Sequence, residues 1–390
     1  MTVAELPIGR RVAQWRIRRR MTQQMLADRL GKSKSWVDKV ERGVRALDRF
    51  SVIQDLAGVL RVDPAVLLGR EAAPRTPATR VDGVEAVRVA LARYDFPAGG
   101  PCPGSAFPLV ELRRRVGHAW LTYQHAQYPQ LLRLLPELLD AARRAHRQQP
   151  VGGAEPLVQV YRVTSAVLVK LGAGESAWLA ADRAVAVAAG DPLLTAVAAL
   201  PLGPALRVLG RHRSAVTAMV TAARAAPSGA LSVQGTLLVQ AALAAAGCRD
   251  PGGVRVLLDR AGEIAQRVGE GNDEEWTSFG SIVVGLARVA AAVDLGDAGE
   301  AVTRHEEAVG LRCWRGLPAE CRAAHLIEAA RAYLLVGDVT TAGRALVDAD
   351  RIAPAEVRSR PFGRSVVGEV VRGGPATGAF AHLATTLGVA

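Results

Sequence analysis

The chain has 390 residues, of which 49% are apolar and only 4% aromatic, with 39 glycines and 21 prolines, a globular composition large enough for two or three domains. The formal net charge is +12, but residues 1–70 hold 15 Lys/Arg against 7 Asp/Glu while the rest hold 34 against 30, so the excess sits at one end and points to a polyanionic partner for that end alone. Four scattered cysteines without a CxxC pair, seven dispersed histidines, and the lack of a nucleophile elbow or a glycine-rich loop behind a strand exclude the usual signatures of an enzyme; no cofactor and no metal are expected.

In chain order, residues 8–68 read as five short helices. Ile8, Val12 and Trp15 at helical spacing place the first over Ile8–Arg19. Thr22 caps a second, Gln23–Leu30, which Gly31 stops. Ser33 caps a third, Lys34–Arg42, which Gly43 stops. A fourth runs from about Arg49 to Leu60, and Pro64 sits where a first-turn proline opens a fifth. The stretch GKSKSWVDKVERG at 31–43 ends a phosphate loop only in outline. Such a loop needs a glycine at position 26, where this chain has Leu26 inside an amphipathic run, and a preceding strand, where it has Arg16–Arg20.

The order of helix, Gly31 turn and second helix resembles the helix-turn-helix of the phage-repressor-like (XRE) family over residues 8–68. Ala27 stands where the two helices cross, Val37 and Val40 where the second faces the core, and Leu56, Ala57 and Leu60 where the core closes. Arg20 departs from the family, which often has glycine there. The resemblance implies that Lys34, Ser35 and Lys39 read base edges, that Gln23, Trp36, Arg45 and Arg49 lie along the DNA backbone, and that Arg16 and Glu41 form a structural salt bridge. Trp36 has two open readings, packing on sugar-phosphate or filling the edge of the module. A repressor-like module that binds protein instead of DNA is the competing view, against which the basic charge argues.

Residues 69–82, rich in Pro, Thr and Ala, read as a linker. From 83 to 390 the pattern is helical and repeats: Leu or Val, Gly, then Ala five and twelve residues after that Gly. It occurs at Gly172, Gly210, Gly296 and Gly337, with a degraded copy at Gly247. Glycine would turn the chain between two antiparallel helices, the alanines would permit close packing, and Pro227 and Pro354 would end second helices. The units resemble divergent tetratricopeptide repeats over roughly residues 110–355, with an earlier pair at Leu109–His146 turning at Tyr128 and Pro129, and a capping region at 355–390. The expected fold is therefore all-α, a five-helix repressor-like domain (1–68) and linker (69–82) followed by a TPR-like solenoid (83–390) for sensing and dimerisation. Residues 229–247 carry no charge, which reads as a buried helix rather than a membrane span. Cys313, Cys321 and His325 offer at most three loose ligands.

A solenoid of this kind offers a groove for a peptide or protein. Tyr123, Tyr161, Arg162, Asn272 and Trp276 are candidate groove residues, with core or plain surface as the competing reading for each. Together these features describe a cytoplasmic, homodimeric transcription regulator that binds an operator in double-stranded DNA and receives a signal peptide or small-molecule effector. A repeat scaffold with a vestigial helix-turn-helix is the alternative.

Overall fold

The computed structural model describes residues 8–19, 21–45, 47, 50–60, 83–94, 108–188, 190–269, 274–374 and 378–389. Regular structure among the described residues is helical, with no strand. The chain divides into two units, residues 1–79 and 80–390.

The first unit contains α1 (Ile8–Arg18), α2 (Gln23–Leu30), α3 (Lys34–Glu41) and α4 (Phe50–Leu60). The fifth helix expected at Pro64 and the linker at 69–82 lie outside the described residues. Side-chain caps set the starts: Thr22 Oγ1 accepts from the Met25 N–H and Ser33 Oγ from the Trp36 N–H, both at 3.1 Å. Each satisfies one of the four orphan donors of a helix start and contributes about 1 kcal/mol. Helix α2 ends because Gly31 takes φ +63°, which lets the Lys32 N–H bond back to the Ala27 carbonyl at 3.0 Å. A Cβ at Gly31 would meet nothing, so the backbone angle, and not the space, demands glycine. Val12, Leu26, Ala27, Val37, Leu56, Ala57 and Leu60 form the core of this unit.

The second unit opens with α5 (Val84–Ala92), α6 (Leu109–Gln124) and α7 (Tyr128–Gln148). The turn between α6 and α7 falls at His125–Gln127, with Ala126 at φ +55°, so Tyr128 begins a helix instead of turning the chain. Helices α8 (Pro150–Lys170) and α9 (Gly174–Val187) form the next pair. The first helix of the following pair is broken into α10 (Pro192–Ala199) and α11 (Leu202–Val208) before α12 (His212–Ala225). Then come α13 (Leu231–Gly247) with α14 (Pro251–Val268), α15 (Ser281–Leu295) with α16 (Ala298–Gly310), and α17 (Ala319–Leu335) with α18 (Val339–Ile352). Helices α19 (Pro354–Arg358), α20 (Pro361–Gly373) and α21 (Gly378–Thr386) pack after the last pair.

The repeated sequence pattern has a physical counterpart in these pairs. Gly172, Gly210, Gly296 and Gly337 sit at the turns with φ between +71° and +89°. The alanine five residues on, Ala177, Ala215, Ala301 or Ala342, is fully buried each time. At the degraded copy the expectation fails in an instructive way. Gly247 is helical, and the turn residue with positive φ is Arg249 at +59°. Gly247 is needed for close approach: a Cβ there would lie 2.3 Å from Nδ1 of His212 on α12.

The uncharged stretch forms α13, which buries Ser232, Leu237, Ala241, Ala242 and Ala244 against α12, α14 and α15. By length and apolarity alone, Glu274–Leu295 could cross a bilayer, but more than half of its most apolar 18-residue window is buried in the body. It is not one straight helix either, because Glu275 takes φ +53° and α15 starts only at Ser281.

Helices distant in sequence meet at a buried charge cluster. Lys170 Nζ, at the end of α8, lies 2.7 Å from Glu320 Oε2 of α17 and 2.8 Å from Glu356 Oε1 of α19. The Tyr128 hydroxyl donates to Glu356 Oε1, and Arg360 Nη1 to Glu356 Oε2 at 2.9 Å. Burial opposes the Glu356 charge, yet Lys170 and Arg360 outweigh it and hold its pKa below the ordinary carboxylate value.

Candidate nucleic-acid interface and polar sites of the body

Helix α3 is oriented from both ends. Val37 and Val40, each 1% exposed, turn inward, and burying two valines contributes about 3 kcal/mol in total. At its C-terminal end the buried Glu41 accepts from Arg16 Nε at 2.6 Å, from Arg16 Nη2 at 2.9 Å and from Gln23 Nε2 at 2.8 Å. Arg16 Nη1 donates on to the Met21 carbonyl at 2.8 Å. A bidentate guanidinium–carboxylate pair of this kind fixes geometry as well as adding energy, and it locks α1, α2 and α3 to one another.

With that rotation set, Lys34, Ser35 and Lys39 are exposed on the remaining face. Both lysines present a compact ammonium, and Ser35 a hydroxyl that can donate or accept, which is the chemistry that reads base edges in a major groove. Gln23 is half-buried and already donates to Glu41, so it belongs to the salt bridge whatever else it touches. Trp36 is half-buried against the core of the unit, with the Arg45 guanidinium 6.0 Å from its ring centre. The two residues are thereby brought together, and Arg45 stays exposed. Arg49 lies outside the described residues. Lys32, in the turn, and Arg42, which pairs with Asp38 at 2.6 Å, are further exposed cations beside α3 that the family pattern does not single out. Their signal in the sequence is charge alone.

In the body, three of the groove candidates meet and one does not. Trp276 stacks on Trp120 with ring centres 6.1 Å apart and planes 7° apart. Tyr123 meets Trp120 edge-on at 5.8 Å, and the Arg162 guanidinium lies 5.1 Å from the Trp120 ring centre. Tyr161 is buried elsewhere, its hydroxyl accepting from Arg143 Nε at 3.0 Å. Asn272 lies outside the described residues. Trp120 and Gln159, which bind this group together, carry no mark in the sequence that distinguishes them from core residues.

Cys313, Cys321 and His325 do not converge on a common point as ligands. The cysteines line a small apolar cluster with Ile282, Leu286 and Leu317, and burial pushes the Cys321 thiol up to about 12. His325 Nε2 is 2.9 Å from His305 Nδ1, between Trp314 and Tyr333. Burial, and then His305, pulls His325 down to about 3. No group of three or more His, Cys, Asp or Glu side chains suited to a metal ion occurs among the described residues.

Residues 7–68 match the family described as "Helix-turn-helix domain", and the first unit is accordingly a helix-turn-helix domain. No curated protein matches the chain in sequence. Among solved structures, the chain is similar to BtubC (BKLC) from P. vanneervenii, with 20% identity over 62% of this chain and 90% of that one at a TM-score of 0.40. It is also similar to Bacillus thuringiensis PlcR, solved in complex with the peptide PapR7 and DNA, with 10% identity over 90% of this chain and 98% of that one at a TM-score of 0.37. Both superpositions are loose, and neither bears on function.

Proposed function

We propose that this chain, which carries a helix-turn-helix domain at residues 7–68, is a sequence-specific, DNA-binding transcription regulator of the cytoplasm. Residues 1–68 are the reader, 69–82 the linker, and 83–390 a repeat body that dimerises and receives an effector. The observation that carries this reading is the rotation of α3: Val37, Val40 and Glu41 are committed inward, which leaves Lys34, Ser35 and Lys39 exposed together on a basic domain. The N-terminal part of a recognition helix is the part that enters the major groove. Lys34, Ser35 and Lys39 are assigned to base edges, and Gln23, Trp36, Arg45 and Arg49 to the DNA backbone. Dimerisation follows from reach, since one such helix touches few base pairs and two half-sites about 34 Å apart supply the remaining specificity.

The test is a gel shift of the purified protein on the DNA upstream of its own gene, at two salt concentrations. A specific, salt-sensitive complex is expected. Lys34→Ala with Lys39→Ala should weaken it by about 1–3 kcal/mol for each lysine that no longer donates to a base edge. No specific complex, or a complex indifferent to the double substitution, sinks the base-reading assignment.

A further inference from the structure

A short segment between α14 and α15, Glu274–Phe279, is held in a conformation that its own residues disfavour. Glu275, Trp276 and Ser278 take φ of +53°, +58° and +49°, the left-handed region that side chains with a Cβ seldom enter. What holds it there lies on three other helices. Trp276 stacks on Trp120 of α6. Gln159 Nε2, on α8, donates to Glu275 Oε2 at 2.7 Å. Arg162 Nη2 donates to the Glu275 carbonyl at 2.8 Å, while its Nη1 lies 3.5 Å from the same carboxylate. Ser232 Oγ, on α13, donates to Glu274 Oε2 at 3.0 Å. Phe279 is buried over Gly235, where a Cβ would lie 2.0 Å from its ring.

Gln159, the central donor, is oriented by bonds that do not involve the segment. Trp120 Nε1 and Arg162 Nη1 both donate to Gln159 Oε1, at 3.1 and 2.8 Å. An indole and a guanidinium can only donate, so the Gln159 amide has one orientation, with its NH₂ aimed at the Glu275 carboxylate. With the segment seated, Gln159 and Arg162 are 3% exposed and Ser232 is 0% exposed. Buried donors for a carboxylate and a backbone carbonyl therefore stand on rigid helices beside an aromatic shelf. A core needs no such set, because polar groups buried there must be matched one by one, whereas a recognition site is built of a few convergent polar groups on an apolar wall.

We propose that Trp120, Gln159, Arg162 and Ser232 form a recognition site for an acidic residue followed by a large aromatic one, and that the chain fills this site with its own Glu275–Trp276. The segment then competes with any external peptide of the same chemistry. The apparent affinity for such a peptide is reduced by the fraction of molecules in which the segment is seated, and the disfavoured backbone of the segment eases its departure.

The probe is the acetylated, amidated hexapeptide Glu-Glu-Trp-Thr-Ser-Phe bearing a fluorophore, titrated against the full-length protein by anisotropy. Vacating the site with Glu275→Ser and Trp276→Ser should tighten probe binding about ten-fold or more over the unsubstituted protein. Adding Gln159→Leu should abolish that gain. Equal binding by the vacated and unsubstituted proteins, or a gain that survives Gln159→Leu, overturns the assignment. Should the vacated protein lose its helical circular dichroism, Glu275→Gln replaces it, with a gain of about three-fold expected and the same two outcomes overturning it. The titration needs no DNA. A failed gel shift and a failed titration are thus read separately, although the regulatory meaning of the site rests on the DNA-binding reading above.

Discussion

Arg16 carries more of the first unit than its place on a basic helix suggests. It is 13% exposed and supplies two of the three hydrogen bonds that neutralise the buried Glu41. Arg16→Ala should therefore destabilise the domain by about 3 kcal/mol, because it leaves a buried carboxylate without its cation; urea unfolding followed by circular dichroism measures it. An isosteric Glu41→Gln in the same background should recover part of the loss. The His305–His325 contact gives a pH signature. The hydrogen bond between the two imidazoles needs one ring nitrogen with a free lone pair, which excludes only a doubly protonated pair; burial is what favours two neutral rings, and it lowers both pKa values, that of His325 to about 3. The unfolded chain binds these protons near pH 6.5. The stability that rests on the neutral pair is thus fully present above pH 6.5 and is lost progressively as pH falls toward 3. Melting temperature should decline between pH 6.5 and 5, where ordinary carboxylates remain ionised, and His325→Leu should flatten that decline. At this scale the sequence was most informative where a residue's role depends on near neighbours: Val37 and Val40 three apart, Ser33 three before the N–H it caps. It was silent on Gln159 and Glu275, whose side chains meet across 116 positions of sequence.

Helix boundaries were legible because the termini carry their own chemistry. Thr22, Ser33, Asp297 and Asp338 cap starts, and Gly31, Gly296 and Gly337 turn ends. Gly247 departs from this rule: the glycine makes space against His212, and Arg249 takes the turn. A sequence pattern cannot tell these two uses of glycine apart, since one is a backbone angle and the other a contact with a residue 35 positions away. Two substitutions separate the uses. Gly210 has φ +71° and open space around it, so Gly210→Ala should cost about 1 kcal/mol, the strain of a left-handed alanine. Arg249→Gly should instead stabilise the body by about 0.5 kcal/mol, since it relieves the same strain at φ +59° and gives up only a 3.3 Å bond to the Leu295 carbonyl. Thermal denaturation of the two variants beside the parent decides the sign of each.

A stack of repeats whose units touch only their neighbours unfolds piecemeal, from its ends. The second unit of this chain is not such a stack, because Tyr128 and Lys170 are bound to Glu320 and Glu356 across the sequence. Nothing in the amino-acid order announced this cluster; the lone lysine of the body is an ordinary residue until its two glutamates arrive. Lys170→Met should cost about 3 kcal/mol, because it leaves Glu320 without its cation and Glu356 with Arg360 and Tyr128 alone, and the body, expected to unfold in one denaturant transition, should then unfold in two. Amide exchange in α7 and in α19 would then accelerate together, though they lie far apart in the chain. The cluster also has a meaning for communication. Information entering at the first helix pair need not be relayed through every intervening pair, because the chain has joined its early and late members directly, and whatever tightens one tightens the other by thermodynamic reciprocity.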